Sequence, residues 1–105
     1  MYFIDEAKIY LKAGDGFEDY CIIHYNLPMH TSTLNIKIYD IKGRCIRTLA
    51  NGELAGTQGE IIWDGFDESR QRARIGVYVV YLEATDRSSG RIERAKAVAV
   101  VATKL

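Results

Sequence analysis

Leu34-Asn35-Ile36-Lys37-Ile38-Tyr39-Asp40 alternates apolar and polar side chains without a slip, the pattern of a β-strand with one buried and one wetted face. Leu34, Ile36 and Ile38 are expected toward a core. Asn35, Lys37 and Tyr39 are expected away from it. The next four residues, Ile41-Lys42-Gly43-Arg44, read as a tight hairpin turn, because Gly43 can supply the positive φ that such turns demand. Cys45 to Leu49 then returns antiparallel. A hairpin with one apolar face needs a second layer to bury it.

Outward from that hairpin the same grammar repeats. On the N-terminal side, Cys21 to Leu27 is a strand ended by Pro28, whose missing N–H and fixed φ stop a ladder. Ala7 to Lys12 reads as a first strand leading into the turn Ala13-Gly14-Asp15-Gly16. On the C-terminal side, Asn51-Gly52 and Gly56-Thr57-Gln58-Gly59 read as breakers. Between them and Gly65 lies the short strand Glu60-Ile61-Ile62-Trp63, and Trp63 is expected to plug the core because an indole buries so much area. Asp64 to Ser69 is a loop that continues through Arg70-Gln71-Arg72-Ala73-Arg74. Gly76 to Asp86 and Arg91 to Val101 form the last two strands around the turn Arg87-Ser88-Ser89-Gly90. Val77 to Leu82 is apolar on both faces, as in a central strand or one covered by a neighbouring domain.

About seven strands in roughly 100 residues, with breakers every 8 to 12 positions, is the arithmetic of an all-β, immunoglobulin-like antiparallel β-sandwich. Residues 1–12 read as a lead-in, either a first strand or a linker from an upstream domain, and residues 13–105 as the sandwich domain at the C-terminal end of a larger protein. In the last strand, Val98 and Val100 are expected to anchor the core, leaving Ala102, Thr103, Lys104 and Leu105 exposed for a partner to read.

Composition narrows the function. Fourteen Lys plus Arg balance fourteen Asp plus Glu, so no overall field draws the chain to nucleic acid or an anionic membrane. Hydrophobic residues make up 48% of the chain, yet no run approaches the roughly 18 to 20 apolar residues of a membrane-spanning helix. Met1-Tyr2-Phe3-Ile4-Asp5-Glu6 lacks the basic end and apolar segment of a secretory signal, so any export signal is expected upstream. Strand parity places Cys21 on the core face and Cys45, beside Arg47, on the solvent face, which argues against a disulfide between them.

Residues suited to catalysis are sparse. His24 and His30 are the neutral-pH acid–base groups, and His24 alternates outward between Ile23 and Tyr25. Ser32, Ser69, Ser88 and Ser89 sit in apparent turns, and none lies in a Gly-x-Ser-x-Gly elbow. An enzyme would need a pocket gathering His24 with a carboxylate or serine. Asp15, Glu18 and Asp19 are weak calcium candidates, since Ca²⁺ takes oxygen ligands from flexible loops. Ala13 stands where the first ligand of such a loop belongs, so these carboxylates, like Asp64, Asp67 and Glu68, read first as turn-formers that accept backbone N–H bonds. Arg70, Arg72 and Arg74 alternate, so an extended segment would gather them into a positive patch able to hold an acidic partner or a phosphate bidentately. No metal or cofactor is expected.

Taken in order, Tyr25-Asn26-Leu27-Pro28, Leu34 to Asp40 with Gly43-Arg44, Leu49, Trp63-Asp64-Gly65-Phe66-Asp67 and Gly76-Val77-Tyr78 resemble the Ig-like domain shared by the flagellar hook-capping protein FlgD and the C-terminal sorting domains of type IX (Por) secretion substrates. The resemblance covers about Ala13 to Val101. Gly14 to Asp19 resembles the acidic entry of many sorting domains, with Lys12 and Ala13 replacing its Pro-Asp. The resemblance implies a non-catalytic sorting or interaction domain that directs its parent across the outer membrane, after transit through the periplasm, to the cell surface or medium. Its implied partners are translocon or sortase proteins. The alternatives are a retained domain of the secretion machinery and a passive spacer or adhesive domain packed on a neighbouring domain of the same chain. Arg70, Arg72, Arg74, Val98, Val100 and Ala102 to Leu105 are the expected docking residues.

Overall fold

The computed structural model describes residues 10–13 and 21–101. Seven strands make up its regular structure: β1 (Tyr10–Ala13), β2 (Cys21–Asn26), β3 (Ser32–Asp40), β4 (Cys45–Ala55), β5 (Gln58–Trp63), β6 (Gly76–Asp86) and β7 (Ile92–Val101). No helix occurs among the described residues. Two antiparallel sheets form, of order β1-β2-β5 and β4-β3-β6-β7. In a constant-type immunoglobulin domain the fourth strand joins the sheet of the first two. Here it stays hairpinned to β3, so the larger sheet is the one that carries β6 and β7. β1 pairs with β2 from Tyr10↔Asn26 to Ala13↔Ile23, so the small sheet recruits residues on both sides of the expected boundary between 12 and 13.

The alternation of β3 survives intact. Leu34, Ile36 and Ile38 are buried and Asn35, Lys37 and Tyr39 are half-exposed. Across the core stand Cys21 and Ile23 of β2 and Trp63 of β5, while β6 supplies Tyr78, Val80, Leu82 and Ala84. Each fully buried Ile, Leu or Val stabilises the fold by about 1.5–3 kcal/mol, so these rows hold the layers together. Trp63 is the plug expected of it: its Nε1 donates to the Phe66 carbonyl at 3.0 Å, and its ring meets Tyr78 edge-on with centroids 5.4 Å apart. Tyr78 in turn donates its hydroxyl to the Arg74 carbonyl at 2.7 Å. A tyrosine near the start of this strand reaching back to upstream backbone is a corner typical of immunoglobulin-like sandwiches.

The β3–β4 turn is held by Asp40. One carboxylate oxygen accepts the Lys42 and Arg44 backbone N–H groups at 2.9 Å each, the other accepts Arg44 Nε at 2.8 Å, and Gly43 takes φ +85. Bonding from the Arg44 backbone, then from the Arg44 side chain and the Lys42 backbone, outweighs partial desolvation and holds the Asp40 carboxyl below its ordinary range. Asp86 is lowered likewise, by the Ser88 backbone and hydroxyl in the β6–β7 turn.

Three expectations are corrected. Asn51-Gly52 does not end β4. The register runs from Asn35↔Asn51 to Leu34↔Glu53, so Gly52, at φ +72, is the extra residue of a bulge inside a continuous strand. Gly59 likewise lies within β5, because the Tyr25 ring covers it: a Cβ there would sit 2.7 Å from Tyr25 Cζ. The third correction concerns β7. Val98 and Val100 are 60% and 57% exposed, while Ala99 is buried and Ala97 and Val101 pack on the core. Large residues on β6 explain the inversion. Tyr78, Val80 and Leu82 pair with Ala99, Ala97 and Ala95, so the space between the layers beside β7 is already filled and admits only small side chains.

Cys21 is buried and Cys45 exposed, in different sheets and not joined to one another, as strand parity predicts. Val77 to Leu82 lies in β6, a central strand.

Candidate functional site

Cross-strand registers lay out the outer face of the four-stranded sheet row by row. Residues directly opposite one another share a face. Tyr39, Val79 and Val98 form one row, Val77 and Val100 the next toward the β3–β4 turn, and Lys37, Tyr81 and Lys96 the row on the other side. Beyond the lysines come Asn35, Glu83 and Arg94, where Arg94 Nε lies 3.0 Å from Glu83 Oε2. Val77 is 46% exposed and Ile41, on the adjoining turn, 76%. The Tyr39 and Tyr81 rings meet edge-on with centroids 6.3 Å apart. A shallow groove runs between them and the turn, bordered by Ile41, Val79 and Lys96. The face is therefore apolar at one end and charged at the other. Such a contiguous apolar patch with a polar border is the usual anatomy of an interaction surface.

The remaining site candidates fall elsewhere. Arg70, Arg72 and Arg74 are all exposed, but Arg70 takes φ +66, which interrupts the extended segment that would align them. Arg72 instead lies over the Phe66 ring at 5.2 Å and bridges to Phe66. Asp15, Glu18, Asp19 and Ala102 to Leu105 lie outside the described residues. Of the second carboxylate group, Asp64 accepts the Phe66 N–H at 3.0 Å, Asp67 those of Ser69 and Gln71 at 2.8 and 3.0 Å, and Glu68 that of Thr48 at 2.7 Å. Asp64 and Asp67 thus take the turn-forming roles expected of them, whereas Glu68 ties the loop to β4 instead.

Sequence reasoning missed Arg47. Placed beside Cys45, it was expected in solvent, yet its side chain is only 19% exposed. Its Nη1 donates to Asp64 Oδ1 at 2.9 Å and to the Phe66 carbonyl at 2.8 Å, and its Nε lies 3.7 Å from Glu68. Arg47 thereby ties β4 to the loop that closes over Trp63. Burial alone would raise the Asp64 carboxyl, but the Phe66 N–H and Arg47 outweigh it and hold it below its ordinary range. The signal in the sequence is an arginine in a strand ahead of an acidic loop that directly follows the tryptophan.

His24 does meet a carboxylate, with Nδ1 3.2 Å from Glu60 Oε2, but both side chains stand well exposed on the outer face of the small sheet rather than in a pocket. Among the described residues no three His, Cys, Asp or Glu gather closely enough to hold a metal ion.

Comparison with known proteins follows the same lines. A family model described as the FlgD Ig-like domain matches residues 13–88. Dimeric latent PorU from Porphyromonas gingivalis resembles the chain with a TM-score of 0.64 at 14% identity, over 96% of this chain and 10% of that one. PorZ of the same bacterium, described as an essential surface component of its type-IX secretion system, gives a TM-score of 0.38 at 20% identity, over 75% of this chain and 9% of that one. The first likeness is one of fold, and the second is too distant to argue from. The chain spans about a tenth of the length of these solved structures. No curated protein sequence matches it.

Proposed function

We propose, from the premise that this chain belongs to the FlgD Ig-like domain family, that it is a non-catalytic interaction module that directs a larger parent protein across the outer membrane by the type IX route. The observation that carries this reading is the outward placement of Val98 and Val100 on the last strand. Two valines more than half exposed on an edge strand contribute little to folding, and an interface core gives such side chains a use. The sites of contact are Val98 and Val100, the neighbouring Val77 and Val79, and the following Ala102 to Leu105. Translocon or sortase proteins are the partners, and the parent ends at the cell surface or in the medium.

A second reading rests on the breadth of the same face. Val77, Val79 and Ile41 widen the patch across the sheet from β7 onto β6 and the β3–β4 turn, as suits a spacer packed on a neighbouring domain of its own chain. The test fuses residues 1–105 to the C-terminus of a signal-peptide-bearing reporter in a type IX-secreting bacterium and locates and weighs the product. A surface reporter lacking the domain supports a cleaved sorting module. A surface reporter that keeps the domain supports a retained, machinery-type domain. A reporter stranded in the periplasm favours the spacer. Deleting residues 102–105, which follow the last residue of β7, should abolish surface delivery while leaving the fold nearly intact.

A further inference from the structure

The Asn51-Gly52 step of β4 combines a reactive sequence with a specific side-chain restraint. Asn51 is the one asparagine in the chain followed by glycine, and glycine lacks the side chain that hinders its backbone nitrogen from reaching the preceding carboxamide. Asn51 is exposed on an edge strand. Gly52 is the bulge residue, at φ +72, with no heavy atom within 4 Å of where a Cβ would stand, so no packing opposes a local change of shape. One contact does. The Gly52 N–H donates to Asn35 Oδ1 at 3.0 Å, and Asn35 is held on the central strand β3 directly opposite Asn51.

We propose that Asn51-Gly52 is a site of spontaneous deamidation and isoaspartate formation, with water as its co-reactant, held in check by the Asn35 carboxamide. Hydroxide removes the Gly52 amide proton, and the nitrogen attacks Asn51 Cγ. The carboxamide nitrogen leaves as ammonia, which closes a five-membered succinimide. Water then opens the ring. Attack at the side-chain carbonyl gives aspartate, and attack at the main-chain carbonyl gives isoaspartate, with the chain running through Cγ. While Gly52 N–H is bonded to Asn35, its proton is less available and its nitrogen is held away from Cγ. The product adds a carboxylate beside Glu53. The isoaspartate form lengthens the backbone just before the pairs Leu34↔Glu53, Thr33↔Leu54 and Ser32↔Ala55, and so loosens the end of β4.

The test is peptide mass spectrometry, with isoaspartate resolved by chromatography, on the whole chain incubated at mildly alkaline pH. Asn35→Ala should deamidate at Asn51 about tenfold faster than the native chain, the rate equivalent of losing one hydrogen bond. Asn35→Val, well suited to a strand, is a second variant without the acceptor and should behave alike. Asn35→Asp keeps an oxygen acceptor and should stay near the native rate. Tyr78→Phe, which loosens the fold at the far side of the sheet, should also stay near it. An unchanged rate in both acceptor-less variants would overturn the proposal. So would an equal acceleration in Tyr78→Phe or in Asn35→Asp, since general opening rather than the Asn35 bond would then set the rate.

Discussion

Val77 to Leu82 of β6 and Ala97 to Val101 of β7 are neighbouring, almost wholly apolar stretches of one antiparallel pair, yet β6 carries large side chains on both faces and β7 mainly on its outer one. In β6 Tyr78, Val80 and Leu82 point inward and are buried, while Val77, Val79 and Tyr81 point out. In β7 the inward positions are alanines until Val101, and the valines Val98 and Val100 point out. A central strand fills the core, and its edge neighbour fits what space is left. When both faces of a strand are apolar, side-chain volume on the adjacent strand decides which face is buried. Large apolar residues left outside then mark a contact surface.

The sharpest way to break that contrast is on the β6 side. Leu82→Ala should lower the free energy of unfolding by about 2–5 kcal/mol, because the cavity cannot collapse between fixed strands. A loss under about 0.5 kcal/mol by chemical denaturation, a typical surface effect, would erase the distinction between the two faces. A smaller effect is expected where the Tyr25 ring lies over Gly59. Gly59→Ala drives a methyl into the Tyr25 ring and should cost about 1–3 kcal/mol, and Tyr25→Ala in the same chain should recover part of it. Tyr78→Phe sharpens the comparison from inside the core: it keeps the ring against Trp63 but removes the hydroxyl bond to Arg74, for a loss of about 0.5–1.5 kcal/mol.

Acid should act on the turns and the loop rather than on either face. Asp40, Asp64 and Asp86 have depressed folded-state pKa values. Their stabilisation is present above the unfolded-state value of about 3.9 and is lost as pH falls through the folded values. The thermal midpoint should therefore decline below about pH 4, and Asp40→Asn with Asp86→Asn should flatten that decline. A midpoint that is flat or rises on acidification in the native chain would contradict these assignments.

Much of the fold was legible because β3 is unambiguous. Leu34, Ile36 and Ile38 alternate with polar residues, and the Gly43 turn fixes the hairpin that follows. The bulge at Gly52 and the strand position of Gly59 were not legible. Both glycines look like breakers in one dimension, and what keeps them in strands is a partner elsewhere, the paired strand β3 for one and the Tyr25 ring for the other. The surface was half legible. The pattern of β7 singles out Val98 and Val100 but points them toward the core, since nothing in β7 itself reveals that Tyr78, Val80 and Leu82 fill it. Arg47 escaped for a similar reason, its partners lying in sequence beyond Trp63.

The most direct measurement pairs surface delivery with stability for one double variant, Val98→Lys with Val100→Lys, in the reporter fusion and in the isolated chain. If the outer face of β6 and β7 is the contact surface, the variant unfolds at the native denaturant midpoint and no longer reaches the cell surface. A collapsed midpoint would mean that the valines hold the core, and undiminished surface delivery by a stable variant would mean that recognition lies elsewhere.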